Sequence, residues 1–123
     1  MKIPPPVAEL IGFEVVSAGE GRCTMKLEAE ERHANPMGTL HGGILCDVAD
    51  GAMGMAFFTT LEPGESFTTL ELKVNFLRPF HGGAEAHYRA KPAHVGRSSG
   101  VAEVQAVGSD GRVALLARLT AYR

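Results

Sequence analysis

One stretch of the sequence, residues 35–51, combines a glycine pair with carboxylates at a spacing that could support catalysis. Gly42 and Gly43 open an apolar run, and Asp50 lies inside that run. The first backbone N–H groups of a helix have no partner within the helix, and glycine leaves them unobstructed. Together with the positive end of the helix dipole, they could stabilise the oxyanion that forms when a carbonyl is attacked. A tight helix entry against a neighbouring strand is the structural alternative.

Asp50 is the candidate catalytic carboxylate. An acid in an apolar segment must be paired, hydrogen-bonded or functional, because burying it alone is costly. Asp47, one turn earlier, is its rival, although the helix dipole alone would favour an acid there. Gly43 and Asp50 are separated by about 10 Å along a helix axis. A carbonyl bound at Gly43 is therefore out of reach of Asp50 on the same helix, and a site that uses both needs antiparallel helices from two chains.

Two further segments carry candidate binding groups. His41 precedes the glycines and could orient the loop, cap the helix or contact a substrate, and a structural hydrogen bond is the favoured role. The segment 96–100 combines a flexible backbone with Arg97, Ser98 and Ser99, which suits a phosphate group, although a solvated turn has the same composition. The other histidines fall in predicted turns or on outward strand positions, without the spacing of a metal site: His33, His81, His87 and His94.

The surrounding sequence predicts the elements that position these residues. A helix over about residues 42–60 is apolar on nearly all sides and is expected to be buried, and its internal Gly51 and Gly54 indicate a close neighbour. Alternating polar and apolar residues predict two strands before the helix and four after it: 13–17, 22–30, 67–77, 84–91, 101–107 and 113–121. Tight turns between them indicate an α+β fold, with an antiparallel sheet of five or six strands around one central helix.

The strand predicted over residues 67–77 has the clearest alternation. Its apolar side chains are expected to face the core: Leu70, Leu72, Val74 and Phe76. Thr69 belongs to the opposite, polar set, which is expected to face solvent. This strand is therefore predicted to present one side to the helix and the other to water.

Composition and charge limit the classes of function. The 123 residues are enough for one domain, residues 1–123, with one core. A net charge of −2 without a face-wide basic block argues against nucleic-acid binding, and the longest apolar run is too short to cross a membrane. The N-terminal residues lack the apolar segment of a signal peptide, and Cys23 and Cys46 are expected to be reduced core residues. These features predict a cytoplasmic protein.

The sequence resembles the hotdog-fold acyl-CoA thioesterases. The resemblance is to the phenylacetic-acid-degradation (PaaI-like) and THEM-type branch of the 4-hydroxybenzoyl-CoA thioesterase superfamily. It is carried by the motif Asn35-x-x-Gly38-Thr39-Leu40-His41-Gly42-Gly43 followed by Asp50, by the strand that begins near Thr69, and by the Gly96-Arg97 turn. It extends from about residue 12 to the C-terminus.

The resemblance implies a homodimer with shared active sites, and the pairing of two dimers into a homotetramer. The N–H of Gly43 or Gly42, assisted by Asn35 of the same chain, would polarise the thioester carbonyl. Asp50 of the other chain would act as nucleophile or as general base on water. Thr69 would help to position that water or the carboxylate, with His41 beside the site.

The resemblance also implies how coenzyme A is held. Arg97, Ser98 and Ser99 would lie along its nucleotide end, and Arg78 would add positive charge nearby. No separate cofactor or metal is implied, because coenzyme A is part of the substrate. Two alternatives are a hotdog hydratase or dehydratase, which pairs an acid with histidine in a different motif, and a non-catalytic acyl-CoA-binding module, which would not need Asp50.

Overall fold

A computed structural model describes residues 5–123. The chain forms two α-helices, a 3-10 turn and six strands: α1 Pro6–Ile11, β1 Glu14–Gly19, β2 Arg22–Glu28, the 3-10 turn Glu31–His33, α2 Gly42–Phe58, β3 Thr68–Phe76, β4 Glu85–Val95, β5 Ser99–Val107 and β6 Val113–Tyr122. The predicted long helix and strand order are confirmed. The expectation about a signal peptide rests mainly on residues 1–4, which lie outside the described part of the chain.

The six strands form one antiparallel sheet in the order β1-β2-β4-β5-β6-β3. This sheet curls around α2, which confirms the α+β class and the hotdog architecture. β3 follows α2 in the chain but pairs with β6 at the far edge of the sheet. β1 and β3 are therefore the two edge strands, and β3 is the edge nearer the candidate catalytic carboxylate. Among residues 5–123, no helix has the length and apolar character needed to span a membrane.

One side of α2 packs into the concave face of the sheet. The buried side chains on this side recur at helical spacing: Leu45, Val48, Ala49, Ala52, Met53, Ala56 and Phe57. The close neighbours expected at its internal glycines are present, because Phe13 and Met25 lie against Gly51, and Phe67 lies against Gly54. Burial of this apolar stripe, worth about 25 cal/mol per Å² of apolar surface, holds the helix in the sheet.

The expectation that α2 is buried on all sides is wrong. Cys46, Asp47 and Asp50 are only half-buried, on the side of the helix that the sheet leaves uncovered. Cys46 is therefore not a core residue, whereas Cys23 is, and burial raises the pKa of the Cys23 thiol to about 11. Both thiols are free, as expected. An apolar helix with one uncovered side indicates that another surface packs there.

The predicted inward face of β3 is only partly correct. Leu72 and Val74 are half-buried against the core, but Leu70 is 62% exposed and Phe76 is 54% exposed. The pairing with β6 shifts between Thr69 and Glu71, so that Leu70 occupies a bulge. A bulge inserts one extra residue and reverses the alternation beyond it. Thr69 consequently lies on the helix side of the strand, opposite Ala121, although its side chain stays exposed.

Candidate active site

His41 caps the start of α2. Its Nδ1 accepts a hydrogen bond from the Gly43 N–H at 2.9 Å, and its carbonyl accepts from the N–H groups of Ile44 and Leu45. The Gly43 N–H has no partner within the helix, as expected, but the His41 side chain occupies it, and the structural role favoured for His41 is the one observed. The Gly42 N–H, by contrast, has no hydrogen-bond partner among residues 5–123. This donor lies at the positive end of the helix dipole.

Asn35 organises the loop that leads into α2. Its Oδ1 accepts from the Met37 N–H at 2.9 Å and from the Thr39 N–H at 3.1 Å, and its Nδ2 donates to the Thr39 hydroxyl at 2.8 Å. Gly38, with a φ of +85°, makes the turn that these bonds close. A primary amide has two hydrogens on its nitrogen, so one hydrogen of Asn35 is still available to a ligand.

Asn35 and Gly42 border one cleft of about 310 Å³. The remaining lining is mostly apolar and comes from the same loop, from α2, and from the end of β3 with the segment after it: Leu40, Leu45, Phe76, Leu77, Arg78 and Pro79. The Phe76 ring lies against Gly42, where a Cβ would be 3.3 Å from the ring. The cleft therefore offers two uncharged N–H donors and one guanidinium beside an apolar surface.

Asp50 lies on the uncovered side of α2 and accepts a hydrogen bond from the Thr69 hydroxyl at 3.4 Å. Burial raises the pKa of Asp50 above its ordinary value, the Thr69 hydrogen bond lowers it, and the charge of Asp47 raises it further. A carboxylate with a raised pKa is a better proton acceptor near neutral pH than an ordinary one. The carboxylate is thus prepared for basic or nucleophilic chemistry.

The cleft and the carboxylate lie apart within one chain. Gly42 and Asp50 are separated by about 12 Å along the axis of α2, too far for both to contact one reacting bond. The structure therefore brings Asn35, Gly42 and Arg78 together at one place, and Asp50 and Thr69 together at another. Among the residues described, no group of three or more His, Cys, Asp or Glu side chains could hold a metal ion.

The predicted coenzyme A residues do not form one cluster. Arg78 borders the cleft at the start of α2. Arg97 and Ser98 lie instead in the β4–β5 turn, and Ser99 begins β5 next to Gly100, which packs against Phe57 near the end of the helix. The turn lies roughly 10 Å beyond Asp50 in the direction of the helix axis.

Arg123 holds this turn and was not identified from the sequence. Its backbone N–H bonds to the Ser98 carbonyl at 2.9 Å, and its guanidinium donates to the Gly96 carbonyl at 3.1 Å and to Glu65 at 2.8 Å. The guanidinium thus ties the turn to the loop before β3. No spacing or motif marks Arg123 in the sequence, because its partners are distant in the chain.

His33 was also missed, because it was expected in a turn or at an outward position. It is buried, its Nδ1 accepts from the Glu30 N–H at 3.0 Å, and its Nε2 lies 2.6 Å from the Ile11 carbonyl. Since Nδ1 accepts, Nε2 must carry the proton and donate to that carbonyl. The His33 carbonyl in turn accepts from the His41 N–H at 2.8 Å. His33 therefore fixes the loop that carries Asn35, and its three-residue spacing from Glu30 was the available signal.

The sequence is similar to those of known thioesterases. A family model described as "Thioesterase superfamily" matches residues 37–115. The chain is 30% identical over 112 residues to the 1,4-dihydroxy-2-naphthoyl-CoA hydrolase of Listeria monocytogenes, which covers 91% of this chain and 90% of that protein.

Two solved structures share the fold along nearly the whole chain. A mutant of the phenylacetic acid degradation protein PaaI from Thermus thermophilus has a TM-score of 0.91 at 27% identity, covering 97% of this chain and 99% of that chain. A phenylacetic acid degradation-related protein from Ralstonia eutropha has a TM-score of 0.88 at 29% identity, covering 98% of this chain and 92% of that chain.

Proposed function

We propose that this chain, which belongs to the thioesterase superfamily, hydrolyses an acyl-CoA thioester to the free acid and coenzyme A. The observation that carries the proposal is the Asp50 carboxylate, half-buried on the uncovered side of α2 and hydrogen-bonded by Thr69. An acyl-CoA-binding module would have no use for this acid. The relative from Listeria monocytogenes is named as a hydrolase of 1,4-dihydroxy-2-naphthoyl-CoA, an aromatic acyl-CoA. Acyl-CoA is also the substrate class proposed for this chain.

The cleft at the start of α2 supplies the oxyanion donors. The thioester carbonyl accepts from the Gly42 N–H and from the second amide hydrogen of Asn35, at the positive end of the helix dipole. Negative charge grows on this oxygen as the tetrahedral intermediate forms, so these bonds strengthen in the transition state. The Gly43 N–H joins them only when the His41 ring turns away, because His41 occupies it.

The carboxylate comes from the other chain of a dimer. β3 is an edge strand with unpaired backbone groups and the exposed apolar side chains Leu70 and Phe76, and the exposed Leu77 follows it directly. Such an edge is prone to pair with another strand. Two β3 edges that pair about a twofold axis join the sheets and bring the uncovered sides of the two helices together in antiparallel directions. Asp50 of each chain then lies opposite the cleft of its partner.

In the reaction, Asp50 takes a proton from water as the water oxygen attacks the carbonyl carbon, and the intermediate expels the coenzyme A thiolate. Alternatively, the carboxylate itself attacks, and water hydrolyses the resulting anhydride. Both routes need the same placement of Asp50, with Thr69 orienting the carboxylate. A cytoplasmic location and the pairing of dimers into a tetramer stay predictions from the sequence.

The nucleotide end of coenzyme A is proposed to bind the β4–β5 turn of the chain that supplies Asp50. Arg97→Ala is expected to raise KM for an acyl-CoA by about tenfold or more, because a charge-assisted hydrogen bond to phosphate is lost. The KM for the matching acyl-N-acetylcysteamine thioester, which has no nucleotide, is expected to stay unchanged. Steady-state kinetics on both substrates measure this, with Arg112→Ala at another exposed turn as the matched control. An equal change on both substrates would contradict the assignment.

Asn35→Asp is expected to lower kcat by about 100-fold to 1000-fold, because the removal of one oxyanion donor typically costs that much. The carboxylate keeps an acceptor for the Met37 and Thr39 N–H groups, so thermal unfolding should change little. Met37→Asp is the control, because it adds the same charge to the same loop at a side chain that is 83% exposed. If both variants lose the same activity, general charge repulsion and not the lost donor is responsible.

Release of free thiol from a panel of aryl and aliphatic acyl-CoA substrates tests the function directly. Turnover of any member by the wild-type protein supports hydrolysis, and the best substrate identifies the acyl group. Binding of acyl-CoA without turnover of any member would overturn the proposal in favour of a binding module.

A further inference from the structure

Arg123 is fixed between two segments that meet only in the folded chain, the β4–β5 turn and the loop between α2 and β3. Its side chain is 15% exposed, and its guanidinium donates to the Gly96 carbonyl at 3.1 Å and to Glu65 at 2.8 Å. Its backbone N–H donates to the Ser98 carbonyl at 2.9 Å. One residue therefore holds two carbonyls of the turn, and we refer to Arg123, Glu65 and Gly96 as the arginine clamp.

The carboxylate of the arginine clamp is itself fixed in its loop. Glu65 Oε1 accepts a second hydrogen bond from the Glu62 N–H at 2.7 Å, and the Glu65 N–H donates to the Glu62 carbonyl at 3.0 Å. The Glu62 N–H and the guanidinium of Arg123 hold the pKa of Glu65 below its ordinary value. Glu65 is therefore charged at neutral pH, and it ties the guanidinium to a closed turn of the backbone.

The arginine clamp contains a buried donor without a partner. Among residues 5–123, the Nε of Arg123 is the one buried side-chain nitrogen or oxygen that forms no hydrogen bond. A buried N–H that lacks an acceptor costs folding free energy. Proteins tolerate such a cost chiefly at functional sites. The guanidinium is thus not optimised for stability alone, which indicates a further role.

Aromatic packing supports the turn on its helix side but does not reach its tip. The Phe57 ring lies against Gly100 and leaves no room there for a Cβ, and the Phe67 ring packs edge to face on Phe57 with the centroids 5.3 Å apart. Arg97 and Ser98, at the tip, are exposed. The position of the tip relative to the helix therefore depends on the arginine clamp.

The sheet places this turn close to the candidate catalytic carboxylate. In one row across the sheet, Gly100 on β5 is opposite Ala121 on β6, and Ala121 is opposite Thr69 on β3. Gly100 and Thr69 are thus two strand spacings apart, about 10 Å. Since Thr69 donates to Asp50, the arginine clamp joins the proposed nucleotide site to the segment that leads to the hydrogen-bond partner of Asp50 in the same chain.

We propose that Arg123 is a positioning residue for coenzyme A, which holds the β4–β5 turn in the conformation that binds the nucleotide phosphates. The inference rests on the proposed function, which places the nucleotide at Arg97 and Ser98. Arg123 acts through the turn, because its guanidinium is mostly buried and engaged with Gly96 and Glu65. A turn that is ordered before the ligand arrives loses less conformational entropy on binding. Removal of the guanidinium should therefore weaken the phosphate contacts without deleting any of them.

Isothermal titration calorimetry with coenzyme A, on the full chain, tests the proposal. Arg123→Met keeps the aliphatic part of the side chain and the backbone bond to Ser98. It is expected to bind coenzyme A at least about fivefold more weakly than wild type, because the cost of ordering the turn returns to the binding step. Arg123→Lys is expected to lie between the two, since one ammonium can pair with Glu65 but lacks the fork that also reaches Gly96.

Arg32→Met is the matched control. The Arg32 guanidinium likewise donates to two backbone carbonyls, those of Leu10 and Ile11, and to the carboxylate of Glu30. The substitution therefore removes the same kind of contacts at a place remote from the β4–β5 turn. It should change the affinity for coenzyme A by less than about twofold, since distant sites act independently.

Two further variants test the arginine clamp without relying on Arg123→Met alone. Glu65→Gln keeps an acceptor oxygen for the Glu62 N–H and removes only the charge. It is expected to bind about twofold to fivefold more weakly, as for a partly exposed ion pair. In an Arg97→Ala background, the loss caused by Arg123→Met should shrink to less than about twofold, because the contact that the clamp supports is already absent.

Wild-type affinity in Arg123→Met would overturn the proposal, and so would an equal loss in Arg32→Met or an undiminished loss in the Arg97→Ala background. A lowered Tm of Arg123→Met with unchanged affinity would make Arg123 a purely structural residue. Binding with the expected losses but without turnover of any acyl-CoA would contradict the proposed hydrolysis and support the role of Arg123. No binding of coenzyme A by wild type would overturn both.

Discussion

Asp50→Asn is expected to abolish thioester hydrolysis, with a loss in kcat of at least about a thousandfold. The amide keeps the size of the side chain and a possible contact with Thr69, but it cannot accept a proton from water or attack a carbonyl. General base catalysis by a positioned side chain contributes about 100-fold to 10,000-fold, and loss of a nucleophile costs at least as much. Thiol release by purified wild type and variant, with the best substrate of the panel, measures the effect.

The same variant should fold at least as well as wild type at pH 7. Burial raises the pKa of Asp50 in the folded chain above its unfolded value of 3.8. The folded state therefore binds the proton more tightly, and stability falls as pH rises through the interval between these two pKa values. Above that interval, wild type keeps the free-energy cost of burying a charged carboxylate, whereas the uncharged amide of the variant does not have this cost. A Tm well below that of wild type at pH 7 would show that Asp50 is a structural acid.

Asp47→Asn is the matched control for this assignment. It removes the same charge from the same helix, one turn nearer the N-terminus, and its expected effect is less than about fivefold in kcat, because its charge acts on Asp50 only through space. If Asp47→Asn were the inactive variant and Asp50→Asn the active one, the catalytic carboxylate would be Asp47. The pH dependence of wild-type kcat is a further check, since its acid limb should lie above the usual range of aspartate.

Leu70→Glu is expected to convert the proposed dimer into an inactive monomer. Leu70 is 62% exposed in the single chain and lies in the bulge of the β3 edge, where two sheets are proposed to join. Each chain would then place an unpaired carboxylate in an apolar interface, which costs several kcal/mol. Because each site is proposed to need Asp50 of the other chain, loss of the dimer should lower activity by more than about a thousandfold, the same loss expected when the general base is removed. Size-exclusion chromatography with light scattering and thiol release measure the two effects.

Leu10→Glu is the control for this interface. Leu10 is 74% exposed on α1, away from β3. The same substitution there should leave both the molar mass of the assembly in solution and the activity unchanged. The residual activity per chain of Leu70→Glu should also rise with protein concentration, because mass action restores the dimer. An active Leu70→Glu monomer would contradict the shared site.

The sequence was sufficient for the fold because the strands alternate and α2 is long and apolar. The sequence was not sufficient where a single residue interrupts the regular alternation of a strand. The bulge at Leu70 exposes that side chain and turns Thr69 toward Asp50, and no propensity signals it. It also failed for α2, where hydrophobicity cannot distinguish a side covered by the sheet from a side left for another chain.

The candidate site was predictable where its residues are close in sequence. Gly42, His41 and Asn35 lie within one short motif, although the bond from the Gly43 N–H to His41 needed the structure. Residues that act through long-range contacts were not predictable. Arg123 reaches Gly96 and Glu65, which no local pattern shows. The spacing of His33 from Glu30 signals only their local hydrogen bond, and not the contact of His33 with the Ile11 carbonyl.

The central claim is that each active site combines Asn35 and Gly42 of one chain with Asp50 of the other. Mixed dimers of Asp50→Asn and Asn35→Asp, purified through two different tags, test it most directly. One site of a mixed dimer carries both substitutions and the other carries none, so about half of the wild-type activity per dimer is expected. Mixed dimers as inactive as the two parent variants would contradict the claim and place all the catalytic groups within a single chain.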